Sequence, residues 1–132
     1  MKPRIIVYGL LVAAIGAFAF FLRSETGGIS RESVARRMTC ELLPRVIERF
    51  HADVGRYPTT AEGFSVLLHA PEKDWVSGWK GPYLPEARIP KDPWNREYGY
   101  RVPARKPSLP YEVFSLGPDG KISDDDIGNF SE

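Results

Sequence analysis

Hydrophobic residues recur at intervals of three and four between Arg31 and Asp53, and charged residues fill most of the positions between them. This period predicts one long amphipathic helix, which Gly55 ends. Pro44 lies inside the helix and removes one backbone hydrogen bond, so we expect a bend there. We expect the apolar stripe to pack against its own domain. The stripe consists of Val34, Met38, Leu42, Leu43, Val46, Ile47, Phe50 and Val54.

Shorter elements follow the long helix. The capping-box spacing of Thr59–Glu62 predicts a short second helix from about Thr60 to His69. Aromatic and branched residues between turn signals predict two strands, Tyr98–Val102 and Tyr111–Ser115. The segment Leu116–Glu132 is rich in glycine and acidic residues, which favours a long C-terminal loop. A long helix followed by short strands indicates an α+β fold, with a small antiparallel sheet laid against that helix.

The N-terminal region contains a candidate membrane anchor. The run Ile5–Leu22 has no charged residue in 18 positions, which just reaches the length of a helix that spans a bilayer. Lys2 and Arg4 precede the run, so the positive-inside rule places the N-terminus in the cytoplasm and the following chain outside. A cleaved secretory signal is the alternative, but its apolar core is shorter, about 7–15 residues. We expect a cytoplasmic stub, a transmembrane anchor and a linker in residues 1–30, and one periplasmic domain in residues 31–132.

Composition and candidate chemistry give no support to an enzyme. The 18 Lys and Arg against 17 Asp and Glu leave a formal charge of +1, so nothing global points to nucleic acid. His51 and His69 lack a carboxylate or nucleophile at a telling spacing, and each is expected to be a surface or half-buried helix residue. Cys40 is the single cysteine, which excludes an intrachain disulfide. The aromatic residues from Trp75 to Tyr100 fit stacking on nucleic acid or sugar, but we favour packing in a small core.

An acidic segment near the C-terminus is the strongest candidate for a binding site. Four carboxylates lie within the eight residues Asp119–Asp126. Like charges this close repel one another unless they are solvated, protonated or shared by a cation. Calcium takes oxygen ligands from irregular loops, but Lys121 and Ser123 stand where an EF-hand requires oxygen-rich ligands. The residues alone leave two interpretations open, a calcium site and a solvated acidic turn.

Five motifs occur in a fixed order along the chain, and together they resemble a known family. They are Asp53–Gly63, Trp79–Pro85, Pro90–Asn95 with Tyr98–Tyr100, Phe114–Gly120 and Asp126–Phe130. In this order they resemble the major pseudopilin (GspG) family of the bacterial type II secretion system, over about Arg31 to Phe130. The resemblance implies the family fold, which is a long N-terminal helix, a second helix and a small sheet.

The resemblance also implies a function, partners and a metal. The expected function is a subunit that stacks into a periplasmic pseudopilus, anchored in the bacterial inner membrane by a single pass. Its expected partners are other pseudopilin-like subunits or secretion-machinery proteins, with no nucleic acid and no enzymatic activity. The family holds a calcium ion in the loop that matches Leu116–Asp126. By position, the ligands implied are the carboxylates of Asp119, Asp124, Asp125 and Asp126 and the carbonyl of Leu116.

The N-terminal run departs from the family pattern. Family members are processed at a glycine followed by Phe-Thr-Leu, a hydrophobic residue and Glu. Here Gly9 is followed by Leu10–Ala14, and Gly16 by Ala17–Phe21, so neither places a Glu at the fifth position. We therefore expect the anchor to stay on the mature protein. Two functions follow, a structural or accessory subunit of the secretion system and an anchored binding module that reuses the head without forming a filament.

Overall fold

The computed structural model describes residues 28–71 and 76–131. The predicted anchor, Ile5–Leu22, lies outside these residues. Arg31–Glu132 form a compact unit of their own. Within the two described ranges, every helix is too short or too polar to cross a membrane.

The long helix runs from Arg31 to Val54 in three consecutive parts. Helix α1 (Arg31–Arg37) leads into a π-helical turn (Met38–Leu42), and helix α2 (Leu43–Val54) completes it. Gly55 follows with φ at +81°, and its N–H donates to the carbonyl of His51 in the last turn at 2.8 Å. Glycine adopts this left-handed conformation without a steric penalty, so the predicted end of the helix is confirmed.

The π-helical turn lies directly before Pro44, where a bend was expected. Pro44 has no N–H and cannot donate to the carbonyl four residues earlier, that of Cys40. The N–H of Leu43 instead reaches back five residues, to the carbonyl of Met38. The structure has one widened helical turn at this position.

The widened turn decides which helix residues are buried. Four residues at intervals of four are completely buried, namely Ala35, Thr39, Leu43 and Ile47. In a regular α-helix four residues rotate by about 400° around the axis, which is about 40° more than a full turn. Over three such intervals the side chains would therefore rotate by about 120° away from the first one. One extra residue in a turn offsets about 100° of that drift and keeps the buried positions on one side. The expectation that Val34 and Leu42 are buried is wrong, because they are 44% and 39% exposed.

The second helix is shorter than predicted. Thr59 and Glu62 form the predicted capping box, with the Thr59 N–H donating to the Glu62 carboxylate at 2.7 Å and the Glu62 N–H donating to the Thr59 hydroxyl at 3.2 Å. Gly63 follows with φ at +53°, and only Ser65–Leu68 is α-helical (α3). The predicted helix from Thr60 to His69 therefore begins late, because the capping box closes a turn that ends in a left-handed residue.

The sheet has three short antiparallel strands in the order β1-β2-β3. They are β1 (Gly99–Arg101), β2 (Glu112–Ser115) and β3 (Ile127–Gly128). The first two lie inside the predicted strands, and the α+β fold with an antiparallel sheet is confirmed. The assignment of residues 127–128 to loop is wrong, since Ser115 of β2 pairs with Ile127. Two residues are too few to show alternation, so the sequence pattern gave no signal for β3.

The core lies where the long helix packs against the sheet. The ring of Tyr83 meets that of Phe50 edge-on, with centroids 5.7 Å apart. Trp79 donates its Nε1–H to the Val66 carbonyl at 2.8 Å, and Tyr98 is buried. These three aromatic rings therefore pack inside the domain, which agrees with the predicted role in a small core. The buried cluster comprises Leu43, Ile47, Phe50, Val66, Leu67, Val76, Tyr83, Tyr98, Tyr111 and Val113.

Candidate metal site

The acidic loop, Leu116–Asp126, connects β2 to β3. The Gly120 N–H donates to the Leu116 carbonyl at 3.2 Å, so the loop opens with a tight turn. The loop has a first limb that leaves β2 and a second limb, Asp124–Asp126, that leads into β3. Gly117, with φ at +61°, lies so close to the second limb that a Cβ would be 2.5 Å from the Asp125 carbonyl oxygen. Glycine at this position therefore lets the two limbs of the loop meet at its neck.

The loop brings Asp119 and Asp125 together. The Ser123 hydroxyl lies within hydrogen-bonding distance of both carboxylates, at 3.1 Å from Asp119 Oδ2 and close to Asp125 Oδ1. Asp125 Oδ2 also accepts the Asp119 N–H at 3.4 Å. The hydrogen bond from Ser123 is the main cause that holds the pKa of Asp125 below its usual value, so this carboxylate is charged at neutral pH.

Asp126 occupies a different environment from the other acids of the loop. Its side chain is buried, and Oδ1 has no hydrogen-bond partner among the residues that the structure describes. Burial is the main cause that raises its pKa. An unsatisfied buried carboxylate oxygen is costly, and a bound cation is one way to satisfy it. Asp124, by contrast, is exposed.

The chemistry of these donors fits calcium. Carboxylate and carbonyl oxygens on an irregular loop are the ligands of a hard cation. The Asp126 oxygen, which has no hydrogen-bond partner in the part of the chain that the structure describes, is one such ligand. Across residues 28–71 and 76–131, however, no three Asp, Glu, His or Cys side chains are grouped closely enough to hold a metal. Asp119 and Asp125 already lie together, so holding a cation with a third carboxylate requires the loop to tighten.

A neighbouring turn supports the start of the acidic loop. Asp92 is buried, and its Oδ2 accepts the Ser115 hydroxyl at 2.6 Å. Its Oδ1 accepts the N–H groups of Trp94 and Arg96, at 3.0 and 2.7 Å. The Ser115 oxygen in turn accepts the Gly117 N–H at 3.2 Å. One buried carboxylate thus joins the turn before β1 to the neck of the loop.

Arg96 contacts the same limb directly. Its guanidinium donates to the carbonyls of Gly117 and Pro118, at 2.5 and 3.3 Å. A Cβ at Gly120 would be 2.6 Å from the guanidinium carbon, so glycine makes room for this contact. Sequence reasoning did not identify Asp92 or Arg96 as part of the candidate site. The only signal was that Asp92 belongs to one of the motifs that carry the family resemblance.

His51 lies on a helix, as predicted, whereas His69 is at the surface but just beyond the end of its helix. The His51 ring stacks on Tyr57, with centroids 4.2 Å apart and planes 15° from parallel. His51 is half-buried on α2, and His69 is exposed directly after α3.

A long helix packed on a small antiparallel sheet, with an acidic loop closing its edge, defines a pseudopilin-like head. The family model described as type II secretion system (T2SS), protein G matches residues 28–129. The chain belongs to this family, as the sequence motifs indicated. It is a family of structural pseudopilins, not of enzymes.

Individual relatives agree with the family match. The type II secretion system core protein G of Klebsiella pneumoniae is 30% identical over 127 residues, which cover 92% of this chain and 88% of that protein. The protein of the same name from Dickeya chrysanthemi is 36% identical over 127 residues, covering 92% and 80%. The crystal structure of the major pseudopilin from the type 2 secretion system of enterohaemorrhagic Escherichia coli aligns with a TM-score of 0.58 at 32% identity. That alignment covers 67% of this chain and 76% of the other.

Proposed function

We propose that this protein is a structural or accessory subunit of a type II secretion system, with Ile5–Leu22 in the bacterial inner membrane and the head in the periplasm. The observation that carries the proposal is the helix-on-sheet head, which coincides with the family match over residues 28–129. The uncharged N-terminal run supports the anchor, and Lys2 and Arg4 support a cytoplasmic N-terminus. The partners are other pseudopilin-like subunits and proteins of the secretion machinery.

Calcium binding by the acidic loop is part of the proposed function. The ligands are the carboxylates of Asp119, Asp124, Asp125 and Asp126 and the carbonyl of Leu116. When bound, the ion supplies positive charge that offsets the repulsion among the carboxylates. The chain's own residues prepare the loop for this task. The contact at Gly117 closes the neck, and Asp92 and Arg96 hold the first limb in place.

An anchored binding module that forms no filament is the second candidate. The observation that favours it is the missing Glu after Gly9 and Gly16. The aromatic rings offer it little support, because Tyr83 and Tyr98 are buried and Trp79 is hydrogen-bonded inside the head.

Secretion in the native host separates the two candidates. Deleting the gene is expected to leave exported proteins in the periplasm, and the full chain supplied in trans is expected to restore their release. A chain lacking residues 1–30, sent to the periplasm by a cleavable signal, serves as the matched control and is expected to fail. Normal secretion by the deletion strain would leave only the binding module.

The anchor and the domain boundary have direct tests. N-terminal sequencing of protein from membranes is expected to find residues before Ile5, and a mature terminus at Leu10 would show that processing occurs. A fragment that begins at Arg31 is expected to unfold cooperatively on heating, because it contains the long helix, the sheet and the buried cluster between them. Absence of a cooperative transition, even with calcium, would contradict the independent domain.

A further inference from the structure

A shallow apolar groove lies beside the π-helical turn. Its volume is about 310 Å³, and its walls include Met38 and Leu42 from the long helix and Leu84 and Pro85 from the loop before β1. Leu42 is exposed although it belongs to the apolar stripe of the helix. A groove of this size lies at the small end of the range for ligand pockets, so it has room for an aliphatic side chain.

The rim of the groove carries a net positive charge. Arg45 and Arg88 both lie along it, with Glu86 as the opposing charge. All three residues are exposed. The groove therefore favours an apolar group that is surrounded by acids.

The acidic loop presents such a group. Ile122 is 63% exposed, and the loop around it carries four aspartates against a single lysine, Lys121. Lys121 and Ser123 are directly next to Ile122, and acids follow further along the chain on both sides, Asp119 before it and Asp124 after it. Burying this exposed apolar side chain would be favourable. Even with a doubly charged cation bound, the loop keeps a negative net charge.

The groove and the strand that follows the loop lie on opposite sides of the long helix. The Cys40 thiol donates to the carbonyl of Gly128 in β3 at 3.4 Å, so Cys40 faces the sheet. Met38 and Leu42 are each two residues from Cys40, which turns them roughly half a helical turn away. None of the residues that line the groove belongs to the acidic loop.

From these features we infer that the groove of one copy of this chain receives Ile122 of a second copy. The charges match, since a basic rim surrounds the groove and an acidic loop surrounds the isoleucine. The contact joins two different surfaces, so it is heterologous, and such contacts generate rings or open filaments. The inference rests on the proposed role as an assembling subunit and specifies which surfaces join.

Disulfide trapping in membranes tests the contact with the full chain. The background is Cys40→Ser, which keeps a hydroxyl donor for the Gly128 carbonyl. Leu84→Cys places a thiol in the groove, and Ile122→Cys places one on the loop. On mild oxidation the double variant is expected to form a ladder of dimers and larger species, while either single variant stays monomeric. Two differently tagged single variants, expressed together, are expected to form only mixed dimers.

The matched control pairs Leu84→Cys with Ser108→Cys, an exposed position in the loop between β1 and β2. A ladder equal to that of the control, or dimers of Leu84→Cys alone, would overturn the inference. Ile122→Asp gives an independent test, because the side chain is exposed and its replacement leaves the core intact. This variant is expected to lose the ladder that an amine-reactive cross-linker forms with the unmodified chain.

The amine-reactive cross-linker also separates failure of the contact from failure of the proposed function. A ladder that persists in Ile122→Asp would mean that copies assemble through other surfaces, so only the inference falls. No ladder from the unmodified chain, in cells whose secretion depends on it, would mean that copies do not join. That result would contradict the contact between groove and loop, and it would leave the accessory role in secretion as the function of the protein.

Discussion

The guanidinium of Arg96 lies 2.5 Å from the carbonyl oxygen of Gly117, at the neck of the acidic loop. This contact places a permanent positive charge of the protein beside a segment with four aspartates. It also ties the turn before β1 to the limb that leaves β2. The first limb of the loop is therefore held by the protein itself, and the second limb carries Asp124, Asp125 and Asp126.

Replacing Arg96 by alanine is expected to destabilise the calcium-free fragment. Two hydrogen bonds from a charged donor are lost, which costs about 1–3 kcal/mol. Arg96→Lys is expected to recover part of this, because an ammonium group replaces the charge but not the fork of donors. Denaturant unfolding in chelator measures the difference. Arg88→Ala, which removes an exposed arginine elsewhere, is the control. Equal losses of stability for Arg96→Ala and Arg88→Ala would contradict a role of Arg96 in holding the loop.

Calcium is expected to raise the thermal midpoint of the Arg31 fragment. An ion that binds only the folded state adds RT ln(1 + [L]/Kd) of stability, which is about 2.7 kcal/mol at a hundredfold excess over Kd. Asp119→Ala is expected to remove most of the rise, because Asp119 supplies the carboxylate of the first limb, whereas the other three acids lie on the second. Glu86→Ala, an exposed acid outside the loop, is the control. Equal midpoints in calcium and in chelator would leave a solvated acidic turn.

The ion pair between Arg56 and Glu62 predicts a pH-dependent contribution to stability. The hydrogen bonds from Arg56, at 2.7 and 2.8 Å, are the main cause that lowers the pKa of Glu62 from 4.5 to about 2. The folded protein therefore binds this proton less readily than the unfolded chain. The stabilisation is fully present above pH 4.5 and is lost as the pH falls through about 2.

Glu62→Gln is the variant that tests this pair. It is expected to cost about 1 kcal/mol at pH 7, since it weakens both the capping box and the ion pair. The difference from the parent is expected to shrink as the pH falls below 4.5. Denaturant unfolding at several pH values measures it, with Glu97→Gln as an exposed control. A difference that stays constant with pH would show that the ion pair adds nothing.

Glu112 is a buried carboxylate that organises the loop between β1 and β2. It is 1% exposed, and its Oε1 accepts the N–H groups of Arg105 and Lys106, at 2.7 and 3.2 Å. Its Oε2 accepts Arg105 Nε at 3.1 Å and an Arg101 guanidinium N–H at 3.4 Å. Glu112→Gln is expected to destabilise the fragment by about 2–3 kcal/mol, because an amide group cannot accept all four hydrogen bonds. Arg101→Ala, which removes one partly exposed partner, is expected to cost less than about 1 kcal/mol. Equal losses for the two variants in denaturant unfolding would contradict this role.

Much of the fold could be predicted from local sequence patterns. The apolar period identified the long helix, Gly55 identified its end, and the spacing of Thr59 and Glu62 identified the capping box, because each depends on residues close in sequence. The three-residue strand β1 and the four-residue strand β2 fell inside predicted segments for the same reason.

Features that depend on distant partners escaped prediction. With the π-helical turn, Ala35 and Thr39 are buried, whereas the predicted core residues Val34 and Leu42 are exposed. The buried Thr39 hydroxyl donates to the Ala35 carbonyl at 3.0 Å. Strand β3 exists because β2 offers it an edge to pair with. The acidic loop was identified as a candidate site from its four closely spaced aspartates. Arg96, which holds the loop, is 21 residues from Gly117 and left no pattern in the sequence.

The groove is lined by no residue of the acidic loop, and this separation has a consequence for the ends of an assembled row. In a row of copies joined groove to loop, one terminal copy keeps an empty groove with a basic rim. The copy at the other end keeps a free isoleucine among acids. The row is therefore polar, and its two tips differ in both charge and shape. A protein that starts growth at one tip, or stops it at the other, has a chemically distinct surface to bind.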